Sequence, residues 1–324
     1  MIIAVGLLLA AALCSWLAPR LLLALDPRRF DPTLLLACWF SAVAGVLITI
    51  GLGLAALLLP GHLLLVAHGA GHGLLPASMH WPRSVPHGSP PAWEKAAGDW
   101  GCVLLCIVAL RLVYVAARSG RRRIRTRRDC LATLRGTARE EPGQPLTLWV
   151  PHGRPFAFSM AGRPGVVVVT DGMTHHLHPL HLAAVLAHER AHLRGRHHAL
   201  VACAEALKAA LPVVPLFRIA PSAVRELVEV AADKRAAAQY GPAAVASALQ
   251  QASGAPTQEA DGLMMVGPGS IELRLIRLAD AMPRPGRFRR SVSCLAGVLV
   301  AGLFPVASAT VLVAVTIHVL LLCH

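Results

Sequence analysis

His181-Leu182-Ala183-Ala184-Val185-Leu186-Ala187-His188-Glu189-Arg190-Ala191-His192 is the stretch on which the reading of this chain turns. Pro179, just upstream, suits the first position of a helix, and the apolar run carries that helix into an HExxH motif. Residues four apart share a helix face, so His188 and His192 offer two imidazole nitrogens to one metal ion, with Glu189 beside them as a base. The chemistry expected of that constellation is zinc-assisted hydrolysis. The plainer alternative, a surface helix with two chance histidines, fits poorly with a motif embedded in apolar sequence.

A catalytic zinc takes three protein ligands and keeps a fourth position open, so one ligand must come from elsewhere. The nearest downstream helix with carboxylates holds Glu226, Glu229 and Asp233 on adjoining faces, and Glu229 is chosen as the third ligand. One zinc per chain is then held by His188, His192 and Glu229. Asp233, one turn on, is placed to accept a hydrogen bond from the ring N–H of a ligating histidine. Glu189 is the expected catalytic base. The bland reading of Glu229 and Asp233 is a solvated acidic face paired with Arg225 and Lys234. His197, His198, Tyr240 and Arg274 are candidate donors to a developing oxyanion, and the sequence selects none of them. His175, His176, His178 and His181 read as rim of the site rather than ligands.

Before the motif, the β-type runs Leu146–Val150, Phe156–Met160 and Gly165–Thr170 predict a small antiparallel sheet. The turn Ala161-Gly162-Arg163-Pro164 joins the last two, and a helix over Ile124–Arg139 precedes them. After the motif, Ala199–Phe217 is apolar enough to suggest a membrane crossing. It contains Glu205, Lys208, Pro212 and Pro215, and a single crossing would carry the carboxylate helix to the wrong side of the histidines. It therefore reads as a helix packed in the domain or lying on the membrane surface. Pro221-Ser222 and Gly241-Pro242 bound the next helix, followed by helices over Ala243–Gln251 and Ile271–Ala281.

The flanks are membrane-like. Only 15% of the 324 residues are charged, against about 25% in a soluble domain. The apolar runs Ile2–Leu25, Leu34–Leu59, Trp100–Ala117 and Val292–Leu322 approach or exceed the roughly 20 residues that cross a bilayer. The formal net charge is +14, and its Lys and Arg residues concentrate after the first run, at Arg118–Arg128 and at Arg284–Arg290. By the positive-inside rule both chain ends and the 60–99 loop lie outside, and 118–290 is cytoplasmic. The expected division is 1–117, three transmembrane helices with an external loop at 60–99; 118–290, a cytoplasmic zinc metallopeptidase domain; and 291–324, a fourth transmembrane helix. The fold class is α+β and zincin-like for the inserted domain, mostly α overall.

Other features fit that frame without adding chemistry. The first run lacks the basic start of a cleavable signal peptide and reads as an anchor. Arg111 is near enough to the end of the third run to snorkel. Arg121–Arg128 has no interleaved aromatic residues and abuts a span, which favours topology and anionic lipid over nucleic acid. The eight cysteines show no CxxC and no disulfide framework. The external loop's His62, His68, His72, His80 and His87 follow no ligand spacing.

Val166-Val167-Val168-Val169-Thr170-Asp171-Gly172, the His181–His192 stretch followed by Arg196-His197, and Glu229-Val230-Ala231-Ala232-Asp233 together resemble the integral-membrane gluzincins, which include HtpX-like proteases, CAAX prenyl proteases and the BlaR/MecR antibiotic-sensor peptidases. Four spans with the protease between the third and fourth are most similar to the BlaR/MecR branch. The resemblance implies zinc on His188, His192 and Glu229, Glu189 as base, and endopeptidase action on a protein at the cytoplasmic membrane face. It also implies substrate added as a strand to the edge near Phe156–Thr170. No sensor domain follows the fourth run, so antibiotic sensing is not expected to carry over. A protein substrate and membrane lipid are the expected partners, nucleic acid is not, and a membrane-protein partner or homodimer stays open. The competing class is a non-catalytic zinc-binding membrane receptor or scaffold, which has no need of Glu189.

Overall fold

The computed structural model describes residues 2–25, 30–58, 92–143, 145–253 and 268–279. The expected fourth span at 291–324 and the histidines of the 60–99 loop lie outside the described residues. Among the described residues, three helices are long and apolar enough to cross a membrane: α1 (Ile2–Ala24), α2 (Pro32–Leu58) and α3 (Ala92–Leu134). The third run is part of one unbroken helix of 43 residues, not a span followed by a separate helix over Ile124–Arg139. Nothing from Ala117 to Leu134 breaks it, since Gly120 is a lone weak spot and no proline intervenes.

The chain then forms a four-stranded sheet: β1 (Arg139–Glu141), β2 (Leu146–Val150), β3 (Ala157–Met160) and β4 (Val166–Thr170), in the order β1-β2-β4-β3. The sheet is mixed, which corrects the antiparallel expectation: β4 runs antiparallel to β3 but parallel to β2, from Leu146 opposite Val166 to Val150 opposite Thr170. The reason lies in Val166–Thr170, where every residue is buried. A continuous apolar strand belongs in the middle of a sheet, with partners on both edges and cover on both faces. Val167 and Val169 face Leu182, Val185 and Leu186 of the motif helix, while Val166 and Val168 pack with Leu131 and Leu134 at the end of α3. Segment 151–156 crosses the end of β4 and is pinned there by Thr170, whose hydroxyl donates toward the Arg154 carbonyl at 2.8 Å and accepts from the Phe156 amide at 3.0 Å.

Helices α4 (Asp171–His176), α5 (Pro179–Arg194), α6 (His197–Ala210), α7 (Pro215–Tyr240), α8 (Pro242–Ser253) and α9 (Pro268–Ala279) complete the described chain. Gly172 in α4 is required by a close approach, because a Cβ there would stand 2.3 Å from the Gly153 carbonyl oxygen. Ala199–Phe217 forms α6, a short break and the start of α7. Its apolar side chains Val201, Leu207, Leu216 and Phe217 share one core with Cys14, Leu34, Trp39, Val43 and Val46 of α1 and α2. Burying a side chain of the size of Leu216 or Phe217 contributes about 1.5–3 kcal/mol, so this is a structural junction and not a chance contact. A polar tie adds to it: Lys234 of α7 reaches the Asp31 carboxylate at 2.8 Å, and Asp31 also accepts from the Thr33 amide that opens α2.

Candidate metal centre

Two helices build the centre. On α5, His188 and His192 stand one turn apart with their Nε2 atoms 3.0 Å from each other. Across from them α7 supplies Glu229, with Oε2 3.4 Å from His188 Nε2 and Oε1 3.4 Å from His192 Nε2. Ligand atoms about 2.0–2.1 Å from one ion at tetrahedral angles stand roughly 3.3–3.4 Å apart. The two imidazole–carboxylate separations match that value, each through a different oxygen of Glu229, while the imidazoles stand 3.0 Å apart, somewhat closer; the two-imidazole, one-carboxylate donor set is that of a catalytic zinc site. Small side chains make the approach of α5 to α7 and α8 close enough: Ala184, Ala187, Ala236 and Ala244 form the buried contact alongside.

Orientation of the imidazoles is fixed from behind. Asp233 Oδ1 lies 2.9 Å from His188 Nδ1, so the Nδ1–H donates there and Nε2 is the nitrogen turned to Glu229. His192 Nδ1 shares a hydrogen bond with His197 Nδ1 at 3.1 Å. Gly195 permits that contact, since a Cβ at position 195 would lie 2.2 Å from His197 Nε2. Arg274, brought in by α9, is buried and bidentate to Asp233 at 2.6 and 2.7 Å, with its third nitrogen 3.2 Å from Glu229 Oε2. One guanidinium thus holds both carboxylates of α7.

The remaining polar groups of the sequence reading fall as follows. His198 Nε2 meets Ser159 Oγ at 3.1 Å on the β3 side. Tyr240 packs beside the alanine contact of α5 and α7. His178 caps α5, and His181 bonds to Gln251 of α8 at 3.2 Å. Arg225 pairs with Glu205, Lys234 with Asp31 and Arg277 with Glu226, so the flanking cations do not neutralise Glu229 and Asp233 as a solvated acidic face requires. Ser159 was not singled out by the sequence. The signal for it is a polar residue on the strand face that Val167 shares, opposite the motif helix.

Electrostatics follow from this packing. Burial alone would lower the pKa of His188, but the Asp233 and Glu229 carboxylates outweigh it and raise the value to about 10. Burial and the His188 charge lower His192 to about 3, and burial with Arg235 lowers His197 to about 4. Burial opposes ionisation of Glu229, yet His188, His192 and Arg274 bring it down to about 2. Asp233 is held well below the usual carboxylate range, against its burial, by Arg274 and His188. Glu189 moves the other way: burial pushes its pKa up, with His188 and Ser159 restraining the rise. A carboxylate whose pKa burial raises, beside two imidazoles, is suited to moving a proton.

Residues 125–261 match the model of peptidase family M48. The match spans somewhat under half of the chain, and by it this region is an M48-like metallopeptidase domain with apolar helices on its N-terminal side. The M48 region includes His188, Glu189, His192, Glu229, Asp233 and Ser159; Arg274 and helices α1 and α2 fall outside it. Neither the curated proteins nor the solved structures compared with the chain contain a match.

Proposed function

We propose that this chain is a membrane-embedded zinc endopeptidase of the integral-membrane gluzincin kind, acting on a protein at the cytoplasmic face of the bilayer. The observation that carries the reading is the convergence of His188 Nε2, His192 Nε2 and the Glu229 carboxylate within 4.8 Å of one another, with Glu189 next to them in the chain and raised in pKa by burial. His188, His192 and Glu229 would hold the zinc, which supplies Lewis acidity to activate a water and polarise the scissile carbonyl. The Glu189 carboxylate takes a proton from the attacking water and returns it to the leaving amine nitrogen, so the peptide C–N bond breaks with no net proton change at Glu189. Asp233 keeps His188 in the tautomer that exposes Nε2, and Arg274 keeps Asp233 and Glu229 in place. Strand β3 is an edge of the sheet and borders this site through Ser159, so an extended substrate segment would pair along it in the manner of an added strand. Both chain ends would lie outside and the domain inside, and a signalling or regulatory substrate suits a protease held at that surface.

The test is cleavage of unfolded casein and a fluorogenic peptide mixture by detergent-purified protein, wild type beside Glu189→Gln. Replacing the base is expected to lower turnover by about 10²–10⁴-fold while zinc content and melting temperature hold. Equal cleavage by the two proteins would sink the enzyme and leave a zinc-binding scaffold.

A further inference from the structure

Leu182, Val185, Leu186 and Leu193 of α5 share one core with Val167, Val169 and Ala157 of the sheet. Glu189 falls within that stripe, three residues after Leu186 and four before Leu193, so its side chain starts toward the sheet. A carboxylate in such a place needs a donor. Of the four residues that β3 and β4 turn to this helix, Ala157, Ser159, Val167 and Val169, only Ser159 carries one. Ser159 is buried, and its hydroxyl is hydrogen-bonded to Glu189 and, at 3.1 Å, to His198 Nε2. In its ionised form the Glu189 carboxylate only accepts. The single hydroxyl proton therefore goes to Glu189, and an oxygen lone pair is left for the His198 Nε2–H.

His198 is itself held from two sides. Arg196 has a left-handed φ of 52°, a costly conformation for a residue with a Cβ. That corner between α5 and α6 turns two successive histidines back on the site: His197 meets His192 Nδ1, and His198 meets Ser159. From the other side, Arg123 of α3 donates to the His198 carbonyl at 3.3 Å. One turn on, Arg127 donates to the Pro164 carbonyl at 2.7 Å, in the turn that ends β3. The strand and the histidine are thus tied to the same helix.

We propose that Ser159 is a positioning residue for the hydrolysis, its hydroxyl held by His198 so that it orients the Glu189 carboxylate toward the attacking water. The proposal rests on the reading of Glu189 as the base. With the hydroxyl on one carboxylate oxygen, the other is free to take the proton of the water. Without it the carboxylate turns among orientations in which neither oxygen faces the water, so fewer bound complexes react while binding is unchanged. A plain staple between β3 and α6 would act differently, on the pairing of substrate with the strand and so on KM.

The experiment measures steady-state kinetics of the detergent-purified full chain on the fluorogenic peptide it cleaves best. Ser159→Ala is expected to lower kcat by about 10–100-fold, with zinc content and melting temperature unchanged and KM within about twofold of wild type. Ser159→Thr restores the hydroxyl and should bring kcat back to within about threefold. His198→Ala should lower kcat by about tenfold alone but by less than about twofold in the Ser159→Ala background, because it acts through that hydroxyl. A raised KM at unchanged kcat overturns the proposal, and so do additive effects of the two substitutions. Nitrogen-15 spectra of histidine-labelled wild type, with the His198 signal identified by its loss in His198→Ala, give a test free of turnover and of variant stability. The Nε2–H tautomer is expected; an Nδ1–H tautomer puts the Ser159 proton on His198 instead of Glu189 and overturns the proposal. Cleavage unchanged in Glu189→Gln defeats the peptidase reading and this proposal with it. Cleavage lost in Glu189→Gln but unchanged in Ser159→Ala defeats this proposal alone.

Discussion

At the scale of single residues, the centre works by distributing charge unequally among like groups. Of the three proposed ligands, His192 and Glu229 already stand deprotonated at neutral pH, while His188 is held protonated by Asp233 and Glu229 with a value of about 10. A metal must displace that one proton. Binding is therefore weakened below the His188 value and strengthens as pH rises toward it, by about tenfold per pH unit, with about one proton released per zinc. Calorimetry at pH 7.5 in buffers of different ionisation enthalpy measures this; zero released protons would contradict it. Arg274 is the second case. Removing its guanidinium leaves Asp233 and Glu229 side by side with a cation missing, so Arg274→Met is expected to weaken zinc by about 10–100-fold in chelator competition. Arg277→Gln, which frees only the exposed Glu226, should change it by less than about threefold.

At the scale of elements, the motif helix is positioned by what surrounds it: β4 below, α7 and α8 alongside, and the start of α6 under its C-terminal end. Gly195→Ala tests the last of these. A methyl there must push His197 off His192 Nδ1, so hydrolysis is expected to fall about 10-fold or more with the helix intact by circular dichroism. Much of this was legible in the sequence. The HExxH helix, the carboxylate helix and the strand runs each announced themselves through local periodicity and end signals. The sheet's direction was not: the continuous apolar run Val166–Thr170 marks a central strand, but which neighbour lies parallel to it is set by the path of 151–156. Nor was the role of Arg274, which reaches the site across 41 residues from Asp233 and carries no spacing by which it can be recognised. The continuity of α3 was hidden for another reason: a change from apolar to basic composition marks where a helix leaves the bilayer, not where it stops.

At the scale of the whole molecule, the candidate metal centre and the apolar N-terminal helices do not come apart at a linker. α6 and the first half of α7 share their core with α1 and α2, and Lys234, next to Asp233, is tied to Asp31. A chain lacking residues 1–58 is expected to expose Leu216, Phe217 and Val224, to aggregate, and to lose zinc, even though residues 125–261 remain complete; size-exclusion chromatography and metal analysis would show it. A monodisperse, zinc-loaded truncated chain would contradict that coupling. The unbroken α3 has a consequence of a mechanical kind. Forty-three helical residues make a rod about 64 Å long, of which the 17 residues beyond Ala117 are about 26 Å, so turning it by about 5° about Ala117 swings the sheet-side end through roughly 2 Å. Leu131 and Leu134 at that end are the backing of the sheet. The helix is in effect a lever with its long arm among the apolar segments and its short arm under the strand that borders the metal centre.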